Sequence, residues 1–338
     1  MTRISARPFA AHPPVADGVR PVNLRTDLRP LADLIELVFS DSMDGGGRSA
    51  IREMRFLSRM GYGLKFIARL NELALGISLG FVYIKDGKLV GNVSVYPASY
   101  PAALGETWIL ANVGVHPDFQ RSGIARELML ASLDMVRKRG AARIILQVNY
   151  DNAPALRLYE RHGFVYERAW RIWRRSGFTQ ASFAGIDNFH ITRRRPSEWQ
   201  SEYALAQAAR PNNLGGLGWL KPLHRAAFQT PFWKQLRDVI SLNSLERLII
   251  RDEAAGDILA SCWLESAVSF GNIRAWFFAS PQIDHRPYAQ AHLGNLVSRY
   301  SRSTIVVEHP RDDEVVSELL KQHQFKIKRE LWHMRLDL

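Results

Sequence analysis

The spacing of apolar residues changes several times in the first hundred positions. An apolar stripe with helical period follows Asp27, whose side chain is suited to capping a helix. A second helix is expected over residues 49–60. Two β-prone runs then flank Asp86-Gly87, a dipeptide typical of a tight hairpin turn. This part of the chain therefore predicts two helices followed by a β-hairpin.

Strands and helices alternate in the next stretch of the chain. The expected elements are strands at 108–115, 142–149 and 165–175, a helix that ends at Gly140, and a short helix that Asp151 or Asn152 caps and that ends before Gly163. The first of these strands is almost entirely apolar, as in a central strand. The alternation predicts the α/β class, a mixed α+β sheet with helices packed on it.

The second half of the chain repeats this order of elements. A hairpin is expected from strands at 245–251 and 258–264, followed by strands at 273–278, 303–308 and 326–336 and by helices at 285–300 and 312–323. Pro281 aligns with Pro117 and Phe325 with Phe164. The shared order favours an internal duplication. We therefore expect two domains in tandem, at residues 19–195 and 196–338.

Composition narrows the class of protein. Of the 338 residues, 46% are hydrophobic and 23% are charged, a balance typical of chains that bury a core. The single cysteine, Cys262, cannot form an internal disulfide, which excludes a disulfide-stapled secreted scaffold. We expect no membrane insertion, because apolar runs stop short of the ~18 residues that a span requires. The cytoplasm is the expected compartment.

A net charge of +12 attracts anions such as phosphorylated cofactors, acidic proteins or nucleic acid, and does not choose among them.

The motif with the clearest chemistry follows the strand at 108–115: a strand ends at Val115, a polar loop follows, and a helix begins near Gly123. Backbone N–H groups at such a turn, together with the positive end of a helix, form an anion site. Arg121 and Arg126 add positive charge there, so the loop is a candidate phosphate cradle.

The segment Gln120-Arg-Ser-Gly123-Ile-Ala125 resembles the Gln/Arg-x-x-Gly-x-Gly/Ala signature of the GNAT N-acetyltransferases. Downstream, the segment from Asn149 to Phe164 resembles the second motif of that family. The resemblance covers residues 19–195. It implies two GNAT-like acyl-CoA N-acyltransferase domains, with acetyl-CoA as the co-substrate and no metal.

The resemblance also implies roles for individual residues. The pantetheine arm would lie along Val113, Gly114 and Val115, and on the side of Asn152 and Ala155. Tyr159 would donate a proton to the leaving thiolate. The diphosphate would bind the loop and helix start formed by Gln120, Arg121, Ser122, Gly123, Ile124, Ala125 and Arg126.

The general base does not follow from the motif. Some relatives of this type carry a glutamate at the position of Ile109, and ribosomal-protein acetyltransferases carry one at the position of Gln147; neither side chain here accepts a proton usefully. Glu106, near the start of the strand, is the candidate base, and a solvated strand-end carboxylate is the alternative. His116 is equally ambiguous.

The second half lacks the features of the cradle. Asp284 stands opposite Gln120 and Pro287 opposite Gly123, and proline has no N–H to offer a phosphate. Asp313 stands opposite Asn152 and Leu320 opposite Tyr159. We therefore expect a degenerate half that keeps the fold without binding coenzyme A and covers or shapes the site of the acetyl acceptor.

The expected activity is direct transfer of acetyl from acetyl-CoA to a primary amine of a small molecule or peptide; an acidic acceptor would suit the charge. An acyl-CoA-binding regulator or scaffold without turnover remains an alternative, as does another acyl donor or a hydroxyl or thiol acceptor. Nucleic-acid binding is disfavoured, because its only support is the net charge and the Trp/Arg run at 168–175. That run also fits an edge strand. Residues 212–218 predict a flexible loop, or a lid over the acceptor. The oligomeric state is open.

Overall fold

A computed structural model describes residues 16–40, 43, 45–59, 80–98, 100–179, 189–229, 243–252, 256–267 and 272–338. The chain divides into two compact units. The first comprises the chain up to Ala98, Glu106–Ile144 and Leu338; the second comprises residues 99–105 and 145–337. The boundary expected near residue 195 follows the repeat of elements and stays a prediction. Among the described helices, none is both long and apolar enough to cross a bilayer.

The first unit consists of a four-stranded antiparallel sheet in the order β1-β2-β3-β4, with helices packed on it. Its elements are β1 (Gly18–Pro21), α1 (Leu28–Phe39), α2 (Gly45–Leu57), β2 (Phe81–Lys85), β3 (Lys88–Pro97), β4 (Thr107–Val115) and α3 (Ile124–Lys138). All predicted elements of this region are present. Gly140, with φ +77°, lies just past the end of α3 as expected.

The predicted turn and the predicted cap differ in outcome. Asp86 and Gly87 both have positive φ, 49° and 71°, as the two central residues of a tight hairpin turn require. Asp27 does precede α1, but its carboxylate makes no capping bond to that helix. It instead accepts hydrogen bonds from the Arg20 guanidinium at 2.6 and 2.8 Å and from the Asn23 N–H at 2.7 Å. The expected capping role was therefore wrong, and Asp27 ties α1 to β1.

The second unit has strand order β5-β12-β6-β11-β10-β9-β8-β7. Its elements are β5 (Arg143–Asn149, which begins in the first unit), α4 (Ala153–Arg161), β6 (Val165–Arg175), β7 (Ile191–Arg193), α5 (Trp199–Ala209), α6 (Arg225–Phe228), β8 (Asn243–Arg251), β9 (Ile258–Ala267), β10 (Asn272–Ala279), α7 (Arg286–Arg299), β11 (Thr304–Pro310), α8 (Glu314–Gln322) and β12 (Lys326–Asp337). The strands and helices expected here are confirmed. Three elements of this unit, β7, α5 and α6, were not predicted, and neither was β1 of the first unit.

The last strand of each sequence repeat is placed beside the other repeat. β12 lies between β5 and β6, and β6 lies between β12 and β11. β6 pairs antiparallel with both neighbours, through Trp173 to Ile327 and to Val307. The two repeats therefore exchange their last strands.

This exchange places β6 in the centre of the sheet. Trp170 and Trp173 are each 1% exposed although they point to opposite faces of the strand. Arg168 pairs with Asp312, and Arg171 pairs with Glu330 at 3.0 Å. The expected edge strand was wrong, and the buried tryptophans cannot stack on nucleic-acid bases.

Candidate functional site

β4 carries a bulge close to its C-terminal end. Asn92 of β3 pairs with Gly114, and Ser94 pairs with Ala111, so Asn112 and Val113 together stand opposite one β3 residue. Asn112 has φ +50°, and its carbonyl accepts a 2.7 Å hydrogen bond from the Asn92 side chain. The bulge interrupts the β3–β4 ladder at Asn112 and Val113, next to the residues expected to contact the cofactor.

Gly114 is closely surrounded by side chains of β3 and α1. A Cβ at this position would lie 3.1 Å from Asn92 Oδ1, 3.2 Å from a ring carbon of Phe39 and 3.3 Å from a methyl of Val38. Those distances are shorter than ordinary contacts, so these side chains on α1 and β3 would have to shift by a few tenths of an ångström to admit a Cβ. Gly114 and Val115 are buried, and Val113 is half-buried.

The loop after β4 is shaped by its own side chains. Residues 117–119 form a single 3₁₀ turn, the Gln120 side-chain amide donates to the Val115 carbonyl at 3.2 Å, and the Ser122 hydroxyl donates to the Phe119 carbonyl at 2.5 Å. Gln120 and Ser122 therefore position the loop, whatever else they contact. Arg121 and Gly123 have left-handed backbones, with φ +63° and +90°.

The N–H groups ahead of α3 have no acceptor within the described chain. Within the described chain, no backbone N–H from Arg121 to Arg126 donates to another residue, and the first helical bond is from Glu127 to the Gly123 carbonyl at 3.1 Å. Arg121 and Arg126 are exposed and have no carboxylate partner among the described residues. Ile124 is buried and anchors the helix start. The loop thus has the donors and the charge of an anion site.

Glu106 lies at the opposite end of β4 from this loop. Its carboxylate accepts a 3.0 Å hydrogen bond from the indole N–H of Trp108. It precedes Val113 by seven residues, which is about 23 Å of strand at ~3.3 Å per residue. The assignment of Glu106 as base stays a prediction, and its position counts against it.

The second motif folds as predicted in the second unit. Asn152 caps α4, accepting a 3.2 Å hydrogen bond from the Ala155 N–H through its side-chain oxygen. Tyr159 is 6% exposed, and its ring meets that of Phe164 edge-on at 5.9 Å. Burial raises the pKa of Tyr159 to about 12, so its hydroxyl is protonated at neutral pH. Among the described residues the hydroxyl has no hydrogen-bond partner.

Gln147, at the position where ribosomal-protein acetyltransferases carry a glutamate, has a partner that the sequence did not suggest. Its amide nitrogen lies 2.7 Å from His333 Nε2 on β12. His333 is buried, stacked at 5.4 Å on Trp170 and touched edge-on at 5.1 Å by Trp219. Burial lowers the pKa of His333 to about 3, so the imidazole is neutral. Only the strand exchange brings these groups together.

The loop at 212–218 is held in place by hydrogen bonds. Asn212 bonds both the carbonyl and the N–H of Leu223, at 2.9 and 2.6 Å, and the Trp219 N–H donates to Glu308 at 2.8 Å. Gly215 lies close to the ring of Trp170. These contacts argue against the expected flexible loop, and the loop covers the Trp170–His333 pair.

In the second repeat, the residues opposite the cradle have other roles. Asp284 accepts a 3.0 Å hydrogen bond from the Arg286 N–H, and Pro287 occupies the first turn of α7. Asp313 caps α8 through the Val316 N–H at 3.1 Å, and Leu320 is buried. At the start of α7, the Arg286 N–H is therefore already bonded to Asp284, and Pro287 has no N–H to donate. The described residues contain no cluster of three or more metal-ligating side chains.

Comparison with known proteins points to one family. Residues 57–164 match the acetyltransferase (GNAT) family model. Over 85 residues, 25% of this chain and 27% of the relative, the chain is 39% identical to the mycothiol acetyltransferase of Thermomonospora curvata. Over 55 residues, 16% of this chain and 37% of the relative, it is 46% identical to the ribosomal protein bS18-alanine N-acetyltransferase of Escherichia coli K12. Each match thus spans well under half of the curated relative.

A structural neighbour covers far more of the chain. A tandem GNAT protein from the clavulanic acid biosynthesis pathway superimposes with a TM-score of 0.55 over 94% of this chain and 98% of its own, at 11% identity. Likeness at that identity concerns the fold alone. The chain has the mixed α/β fold of GNAT proteins, and its residues 57–164 match the GNAT acetyltransferase family.

Proposed function

We propose that this protein is an acetyltransferase that moves the acetyl group of acetyl-CoA directly to a primary amine. The observation that carries the proposal is the loop from Gln120 to Arg126. Its N–H groups without an acceptor and two unpaired arginines, in the described chain, form an anion site that a diphosphate would fill. The match of residues 57–164 to an acetyltransferase family supports this choice of anion.

The β4 bulge would hold the reactive end of the cofactor. We propose that backbone groups near Val113, beside this bulge, pair with the pantetheine arm as an added strand would and polarise the thioester carbonyl. Asn152 and Ala155 are proposed to contact the pantetheine side. Gly114 keeps this part of β4 free of side-chain bulk.

The chemical step would be attack of the neutral amine nitrogen on the thioester carbon. The C–N bond forms, the C–S bond breaks, and the thiolate leaves with a proton from Tyr159, whose raised pKa keeps that proton available. The amine loses one proton to a base. Glu106 is the candidate from the sequence, and its distance along β4 makes bulk water or another group the better proposal.

The second repeat is proposed to be a degenerate domain without a coenzyme A site. Pro287 and Asp284 at the start of α7 are incompatible with a phosphate cradle. Its loop at 211–223 instead covers Trp170 and His333, next to Gln147. We infer that this region contributes to the site of the acetyl acceptor.

The acceptor is proposed to be an amine of a small molecule or a peptide. The names of the two curated relatives refer to mycothiol and to the alanine of a ribosomal protein, one of each class. The matching segments are too short to carry either substrate over to this chain. A regulator that binds acyl-CoA without turnover is distinguished by assaying thiol release with a panel of amines.

Calorimetric titration of coenzyme A tests the proposal, with two aspartate variants as a matched pair. Gly123 and Gly87 both have positive φ and open space where a Cβ would lie, so Gly123→Asp and Gly87→Asp carry similar backbone strain. Only Gly123→Asp places a carboxylate among the cradle N–H groups. We expect it to weaken coenzyme A at least tenfold and Gly87→Asp to leave affinity unchanged. The proposal is overturned if the unaltered protein shows no heat of binding with coenzyme A, or if the two variants bind coenzyme A with equal affinity.

A further inference from the structure

β10 and β11 part halfway along their length. Their parallel pairing runs from Asn272 and Thr304 to Ala275 and Val307 and then stops. Beyond that point Phe277 pairs only with β9, and His309 pairs with β6. The strands therefore open a gap between Phe277 and His309. A backbone carbonyl buried in such a gap requires a donor from outside the sheet.

Arg210 fills this gap. It is the residue directly after α5, and it is 7% exposed. Its Nη2 donates to the Phe277 carbonyl at 3.1 Å. The same nitrogen lies 3.2 Å from Nε2 and 3.4 Å from Nδ1 of His309, which is 1% exposed. The guanidinium thus supplies the donor that the neighbouring strand would supply in a continuous sheet.

An acidic group compensates the buried charge. Asp313 lies 3.9 Å from Arg210 Nη2, and its oxygens meet His309 Nε2 at 2.8 Å and His285 Nε2 at 3.1 Å. Burial acts to raise the pKa of Asp313, but the contacts with His309 and the other donors outweigh it and hold the pKa well below its usual range. Asp313 is therefore ionised at neutral pH.

The protonation states are consistent with this arrangement. Burial lowers the pKa of Arg210 to about 10, which leaves the guanidinium charged at pH 7. Burial and the nearby Arg210 lower the pKa of His309 to about 4. A neutral His309 with its proton on Nε2 donates to Asp313. Arg210 Nη2 lies within 3.4 Å of both ring nitrogens, of which the unprotonated Nδ1 is the one that can accept. The Asp313 carboxylate and the Phe277 carbonyl then each have a donor.

The space left beside the guanidinium is small. The cavity that Arg210, His285, His309 and Asp313 line measures about 20 Å³. Such a volume holds at most one water molecule. A further ligand can enter only where Arg210 has left.

We propose that the gap between β10 and β11 is a guanidinium-binding site that the chain fills with its own Arg210. Once vacated, it accepts an alkylguanidinium cation, whose planar donors reach the Phe277 carbonyl and the His309 ring and whose charge is balanced by Asp313. The inference rests on contacts within the second unit and is independent of acetyl transfer. It fails or holds whatever the outcome of the coenzyme A titration.

Chemical rescue tests the site. Arg210→Ala removes the guanidinium, which leaves the Phe277 carbonyl buried without its donor and Asp313 without the nearby cation. We therefore expect the melting temperature to fall by about 4–8 °C. Ethylguanidinium at about 20 mM is expected to restore part of the loss by binding the folded state. Ethylammonium at the same concentration, which lacks the planar fork, is expected to restore less. Arg302→Ala, at an exposed arginine, is the matched control.

The outcomes separate cleanly. Rescue of Arg210→Ala alone supports the site. An unchanged melting temperature for Arg210→Ala, or equal effects of ethylguanidinium on Arg210→Ala, Arg302→Ala and the unaltered protein, overturns it. If Arg210→Ala does not fold, Arg210→Lys takes its place, because it keeps the charge and loses the planar donors. A loss of stability in Arg210→Lys supports the site, and a melting temperature equal to that of the unaltered protein rejects it.

Discussion

Replacing Tyr159 by phenylalanine isolates the proposed acid. The hydroxyl has no partner among the described residues, and the ring keeps its burial and its contact with Phe164, so the free energy of unfolding should change by less than about 0.5 kcal/mol. With a pKa of about 12, Tyr159 is ionised in only about one molecule in 10⁵ at pH 7, so nearly every molecule carries the proton. Loss of a general acid slows reactions by about 10²- to 10⁴-fold. We therefore expect kcat to fall at least a hundredfold, about 3 kcal/mol in the barrier.

The assay is release of free thiol from acetyl-CoA with a saturating amine, alongside calorimetric affinity for coenzyme A. Tyr166→Phe is the matched control, since Tyr166 is 51% exposed on β6. Affinity should be unchanged in both variants, and turnover should fall only in Tyr159→Phe. Turnover within threefold of the unaltered protein in Tyr159→Phe would show that another group, or water, protonates the thiolate.

Two further predictions concern stability. Gly114→Ala should lower the free energy of unfolding by about 1–3 kcal/mol, because the added methyl group overpacks against Asn92, Phe39 and Val38. Gly294→Ala in α7, where a Cβ meets open space, should raise that free energy by about 0.5–1 kcal/mol. Urea denaturation measures both changes, and equal effects would contradict the packing argument. Asp27 has a pKa below its ordinary value: burial acts to raise it, but the hydrogen bonds from Arg20 and Asn23 prevail. Its stabilising effect is thus complete above about pH 4, the unfolded-state value, and is lost as pH falls through the lower folded value, so Asp27→Asn should flatten the dependence of unfolding free energy on pH in that acidic range. An unchanged acid profile would exclude this pair as a source of the dependence.

Much of the fold was predictable because local rules govern it. Helical and strand periods, the hairpin at Asp86-Gly87, the Asn152 cap and the glycine after α3 all depend on neighbours within a few residues. Asp27 shows where this reasoning fails, since Arg20 on β1 provides a stronger partner than the helix N–H groups. The exchange of β6 and β12 was missed because apolar alternation identifies a strand without naming its neighbours.

The candidate site divides in the same way. The cradle lies within one strand, loop and helix, so spacing alone could indicate it. The pairing of Gln147 with His333 joins residues 186 positions apart and depends on the strand exchange. Arg210 was missed for a related reason, because its partners lie on β10 and β11 and no local pattern marks a buried arginine after a helix.

The exchanged strands have a consequence for synthesis on the ribosome. Asn149 at the end of β5 and Arg329 in β12 are in contact although 180 residues separate them. At the usual ~5–20 residues per second, β5 waits about 10–35 s for that neighbour to be translated. During that interval the nascent chain presents an open β edge, which makes the polypeptide dependent on the speed of elongation and on chaperones that shield such edges.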